Sequence, residues 1–323
     1  MKKDSVVPDM NLSLNGSLIV AGNERDSFAT AVIKNVIVTA LCISINYING
    51  ILVHTFRKHQ IFNMNPRYIL FVHLVLNDML QLALSTLLHI ISYALYTISV
   101  PFCLILLTFA ILTTFNTPLN LAGMAVECYI AVCIPLRHGQ ICTIKKTYIL
   151  IGLIWLVSAV SILPDLFVLL ATEPLEFFHS KVSCARDYVF KTTYSLQKRD
   201  ASHIICLVLV WVILHYAYFR ILFAAKGASA HIKKARNTLL LHGFQLLLCM
   251  FIYARPVFEQ GLLIFLPNQY PAVRFASYVF VQILPRLVSP IVYGLRDQTF
   301  RRYMRSYILC NVSMSNQPEK VPT

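Results

Sequence analysis

The chain has 323 residues, 57% of them hydrophobic and only 13% charged, with 28 Lys+Arg against 14 Asp+Glu for a formal net charge of +14. A soluble chain of this length could not cover its surface with so few charges. The same figures exclude intrinsic disorder, a collagenous fibre and a disulfide-rich secreted scaffold, which leaves a polytopic membrane protein.

Residues 1–27 read as a polar tail. MKKDSVVPDM is not followed by an apolar stretch of signal-peptide type, so the first span is expected to act as its own insertion signal. The tail holds two sequons, Asn11-Leu12-Ser13 and Asn15-Gly16-Ser17. Seven apolar runs follow, near 29–56, 68–92, 102–133, 147–170, 203–225, 238–265 and 273–295. Each reaches the roughly 20 helical residues that a bilayer requires. Strand-like alternation is absent, which rejects a β-barrel. Pro118, Pro164, Pro256, Pro285 and Pro290 lie inside the runs, where packed membrane helices tolerate kinks.

The expected architecture is an all-α membrane protein. A bundle of seven spans at 28–295 lies between the tail and a cytoplasmic segment at 296–323. After Asp297, Phe300, Met304 and Tyr307 share one face of an amphipathic helix flanked by arginines, which suits the inner leaflet. Cys310 at its end is a palmitoylation candidate.

Basic residues in short loops set the orientation. With the N-terminus outside, the inner segments hold 16 basic residues against two acidic ones, Asp297 and Glu319, while the outer segments hold 11 basic and 9 acidic. The basic surplus is therefore a topology signal and a contact for anionic lipid, not a nucleic-acid site. A third sequon at Asn311 falls inside and should stay bare. The chain has nine Cys but no CxxC pair. H-E-x-x-H, G-x-S-x-G and P-loop matches are also missing. Neither an enzyme nor a metal or cofactor site is expected.

Three motifs narrow the class. The third run ends Met124-Ala125-Val126-Glu127-Cys128-Tyr129-Ile130-Ala131-Val132-Cys133-Ile134-Pro135-Leu136-Arg137-His138, similar to the MAYDRYVAICxPLxY signature of odorant receptors within the rhodopsin-like G-protein-coupled receptors. Lys234-Ala235-Arg236-Asn237-Thr238 with His242 resembles KAxxTxxxH. Ser289-Pro290-Ile291-Val292-Tyr293-Gly294-Leu295-Arg296-Asp297 resembles NPxIYxLRN. Asn49-Gly50, Leu76-Asn77-Asp78 and Trp155 fit the same pattern. The likeness covers about residues 28–310, and its wording is most similar to a fish-type odorant receptor.

Two positions depart from the pattern: Cys128 replaces the arginine of the D/E-R-Y triplet and Ser289 the asparagine of NPxxY. In the family that arginine helps lock the inactive state and contacts the G protein when active. A thiol forms no charge-assisted bond of that kind. Either coupling or basal silence is altered, or neighbouring contacts have taken over the role.

The resemblance implies a disulfide between Cys103, at the outer start of the third span, and Cys184 in the long second outer loop. Cys42, Cys206 and Cys249 read as small packing residues. Charges within spans are costly unless paired or hydrated. Asp78 stands where the family binds sodium, and Arg286, on the helix that faces it, is expected to take the place of that ion as a buried pair. The alternative is an Arg286 that snorkels or lines a wet cavity. Glu127 is expected to be solvated, or else paired with Arg137 or a third-loop base. Asp165, next to Pro164, either caps groups freed at the kink or meets a ligand.

By resemblance the ligand pocket lies among the outer halves of spans three, five, six and seven. Ala110 stands where amine receptors carry an aspartate, so a cationic amine is disfavoured. Ile111, Thr114 and Phe115 on the third span, His203 and Cys206 on the fifth, and Met250, Tyr253, Ala254 and Val257 on the sixth either line the pocket as an apolar, aromatic wall or pack as helix core. Arg255 and Glu259, four apart, pair with each other or offer Arg255 to a carboxylate. The resemblance implies an odorant receptor of olfactory neuron cilia, with a small odorant and the stimulatory olfactory G protein as partners. The alternatives are a receptor-like protein that binds ligand without efficient signalling, because of Cys128, and a small-solute transporter. The transporter reading lacks inverted repeats and paired broken helices.

Overall fold

A computed structural model describes residues 27–95, 97–190, 192–224, 237, 240–241, 243–244, 246–248, 258–266 and 269–288. Its long helices are α1 (Phe28–Lys58), α3 (Pro66–Ala94), α4 (Val100–Cys133), α6 (Ile144–Thr172) and α9 (Thr193–Ala224). Short helices α2 (Gln60–Asn63), α5 (Pro135–Ile141), α7 (Leu175–His179) and α8 (Arg186–Val189) occupy the connections. Near the end of the described chain α10 (Tyr270–Tyr278) runs into a π-helical segment, Val279–Ile283. Among the described residues five helices are long and apolar enough to cross a membrane, and they fall on the first five expected runs. The sixth and seventh runs lie partly outside the described residues.

Local chemistry explains the helix ends. Asn65 caps α3 by accepting the Arg67 N–H at 3.0 Å, with Pro66 supplying a pre-set first turn. Thr143 caps α6 by accepting the Lys146 N–H at 3.3 Å. Arg57 and Lys58 close the last turn of α1, where cations suit the helix dipole.

α4 is the central helix. Half of its most apolar window is buried, against 28% for α1, α6 and α9. It packs on α3, α6 and α9. Gly123 lets α6 approach, since a Cβ there would meet the Leu150 side chain at 3.3 Å. Polar side chains also join these helices. The Asn77 amide donates to the Thr113 carbonyl at 2.9 Å and to Thr117 Oγ1 at 3.0 Å, and Trp155 Nε1 donates to His73 Nε2 at 2.9 Å. These bonds offset part of the cost of burying such groups, while His73 Nδ1 and Asn77 Oδ1 are buried without a hydrogen bond among the described residues. Large apolar side chains such as Ile33, Leu156 and Leu209 stay exposed on α1, α6 and α9, where they suit lipid.

Candidate functional site

The end of the bundle expected to face outward is covered by the connection between α6 and α9. Strand β1 (Ile98–Ser99) pairs antiparallel with β2 (Lys181–Val182), Ile98 opposite Val182 and Ser99 opposite Lys181. Cys103 in the first turn of α4 is bonded to Cys184, as expected, with the two Cα atoms 5.5 Å apart. The bond ties the loop to the mouth of the bundle.

Beneath the loop, Ile111 and Phe115 of α4 belong to one buried cluster with Cys103 and Cys184, and Cys206 of α9 packs against it. Phe115 meets His203 of α9, their ring centroids 4.6 Å apart. Four of the expected pocket residues are thereby brought to one place between α4 and α9. Thr114 turns elsewhere: its hydroxyl donates to the Ala110 carbonyl at 2.7 Å and accepts from Gln81 Nε2 at 2.8 Å, which commits it to α3. Ala110 contributes that carbonyl and is half-buried. Met250, Tyr253, Ala254, Arg255 and Val257 lie outside the described residues. So do His242, Ser289, Pro290 and Tyr293 of the motifs, Cys249, Cys310 and the sequons Asn11, Asn15 and Asn311.

Asp165 is 1% exposed and meets two cations. Lys198 Nζ lies 3.0 Å from Oδ1, and Arg186 Nη2 lies 3.5 Å from Oδ2, a charge contact rather than a well-formed hydrogen bond. Lys198 also donates to the Ser161 carbonyl at 2.9 Å, one turn before Asp165. The carboxylate thus holds the loop and α9 to α6.

At the end expected to face inward, Glu127 departs from expectation. It is buried, at 6% exposure, and neither solvated nor bound to Arg137. Arg67 Nε donates to Oε2 at 3.2 Å, and His138 Nε2 lies 3.3 Å from Oε1. Burial requires such partners, and α3 and α5 supply them; the third-loop bases Lys226, Lys233, Lys234 and Arg236 lie outside the described residues. Cys128 beside it is 0% exposed, and Tyr129 packs its ring 5.8 Å from that of Tyr216.

Arg286 and Asp78 are both buried, at 1% and 2% exposure. The described interactions of the guanidinium do not include Asp78. Nη1 donates to the carbonyls of Val281 at 3.2 Å and Gln282 at 3.1 Å. Pro285 gives a reason for these two bonds. It has no N–H to offer the Val281 carbonyl four residues earlier, and Arg286 fills the gap.

Arg67, His138, Arg186 and Lys198 were not singled out as site residues by the sequence. Arg67 is 60 residues from Glu127 and is one of sixteen cations on the inner segments.

Residues 48–293 match the family model of the 7 transmembrane receptor (rhodopsin family). The chain is 32% identical over 317 residues to Odorant receptor 131-2 of Danio rerio, covering 94% of this chain and 93% of that one. It is 25% identical over 273 residues to Olfactory receptor 4K5 of Homo sapiens, 76% of each chain. Melatonin receptor type 1A of Gallus gallus is 24% identical over 211 residues, 61% of this chain and 58% of that one. The match spans the motifs around Glu127 and Ser289, and the fold that carries them is the all-α, seven-helix membrane bundle expected from the sequence. The chain belongs to the rhodopsin family of seven-transmembrane receptors, and within it to the odorant receptors.

Proposed function

We propose that the chain detects a small odorant between the outer halves of its helices and passes the signal to a heterotrimeric G protein of the stimulatory olfactory type. The observation that carries the site is the meeting of Phe115 with His203 beneath the loop tethered by Cys103–Cys184. An apolar, aromatic place with one imidazole suits a small, largely apolar ligand with a single polar group. Met250, Tyr253, Ala254 and Val257 complete its wall in this reading, and Arg255 admits a carboxylate. The chain is a receptor of the plasma membrane of olfactory cilia, with its N-terminus outside. The disulfide supports that orientation, because such bonds persist on the oxidising side. Asn11 and Asn15 are then glycosylation sites, and residues 299–308 form an inner-leaflet helix in contact with anionic lipid.

Cys128 favours a second reading, ligand binding without efficient coupling, because a wholly buried thiol offers a G protein no cation. Odorant-evoked cyclic AMP, measured with and without Cys128→Arg, separates the two. A response from the unmodified chain supports the first reading. A response only in Cys128→Arg supports the second.

A further inference from the structure

We propose that Arg67 and His138 provide the restraint that the Glu127-Cys128-Tyr129 triplet cannot supply from within, and that Arg67 positions this triplet in the state closed to a G protein. The inference rests on the receptor reading above. The Glu127 side chain is 7% exposed, and its two oxygens are held from two different elements. Oε2 takes the Arg67 Nε–H at 3.2 Å from the first turn of α3, and Oε1 faces His138 Nε2 at 3.3 Å on α5. One carboxylate therefore joins the inner ends of α3 and α4 to the connection leading to α6. Any partner that inserts among these ends has to part them. A buried carboxylate stripped of its cation must reach water, which favours the parted arrangement. The guanidinium absent at position 128 is in this way supplied from another helix.

Cys142, between α5 and α6, provides a reporter independent of signalling. It is half-buried, and its thiol pKa is pushed up first by burial and next by the charge of Glu127, with Lys146 acting the other way. Removing Arg67 leaves the Glu127 charge less compensated. If nothing moved, Cys142 would form less thiolate and alkylate more slowly. If the clasp opens, Cys142 becomes exposed and alkylates faster.

The test uses the full-length receptor with Arg67→Ala, Arg67→Lys, Glu127→Gln and the exchange Arg67→Glu/Glu127→Arg, each with and without Cys128→Arg. Ligand-independent cyclic AMP is normalised to surface expression, and maleimide labelling of Cys142 is followed by mass spectrometry. The expected result is a basal signal raised about threefold or more in Arg67→Ala and Glu127→Gln, close to the parent in Arg67→Lys, and lowered again by the exchange. Cys142 labelling should speed up in Arg67→Ala. Unchanged or slower labelling overturns the clasp. Faster labelling with an unchanged basal signal, in a background that responds to odorant, makes the contact merely structural and overturns the restraint. If no background signals at all, the receptor reading falls and the restraint with it, while the Cys142 rate still reports whether the clasp holds.

Discussion

Arg286 is the largest side chain among those described that the fold buries almost completely. Helical side chains lean toward the N-terminus, so its guanidinium reaches back to the Val281 and Gln282 carbonyls. The π-helical turn at Val279–Ile283, where the Leu284 N–H bonds to the Val279 carbonyl, is part of the same adjustment before Pro285. Pro285→Ala returns an N–H to the Val281 carbonyl, which the parent does not need and an Arg286→Met variant does. Pro285→Ala should therefore stabilise Arg286→Met more than it stabilises the parent, by about 1 kcal/mol in thermal melts of the purified receptor. If Asp78→Asn couples to Arg286→Met and Pro285→Ala does not, the cation serves the carboxylate after all.

Among elements, α9 shows most clearly what a hydropathy reading leaves out. The fifth apolar run begins near 203, yet the helix starts at Thr193, and Lys198 on its added turns reaches Asp165 on α6. Removing Lys198 leaves a carboxylate that is 1% exposed with only the more distant Arg186, 3.5 Å away. Lys198→Met should cost about 3 kcal/mol in thermal stability, and Asp165→Asn in the same chain should recover part of it. Additive losses would mean that Arg186 alone satisfies Asp165. The five spans from α1 to α9 were legible because apolar runs of fixed length have few alternatives. The Cys103–Cys184 bond was legible through the family pattern, which also put Phe115 and His203 in the outer halves of their helices, where they meet. The partners of Glu127, Asp165 and Arg286 were not. Two of those contacts join residues far apart in the sequence, and the third depends on a carbonyl that only the folded helix leaves unserved.

For the whole molecule, the one-sided basic surplus and the position of the disulfide imply the same orientation. Asn11→Gln together with Asn15→Gln should abolish glycosidase-sensitive mass, whereas Asn311→Gln should leave it unchanged; the reverse would invert the receptor. The buried clusters on either side of α4 place an aromatic site near the outer surface and the Glu127 clasp near the inner one, so ligand and G protein would act on opposite ends of one helix. That arrangement works only if the outer site takes the odorant. The most direct measurement is the odorant concentration for half-maximal cyclic AMP in cells expressing the full chain, compared with Phe115→Ala and His203→Ala at matched surface expression. Waterborne odorants provide the panel, with Cys128→Arg as background if the parent is silent. Loss of a buried aromatic contact of about 1.5–3 kcal/mol predicts a rightward shift of roughly 10-fold or more for Phe115→Ala. An odorant response unmoved by both substitutions would contradict the account.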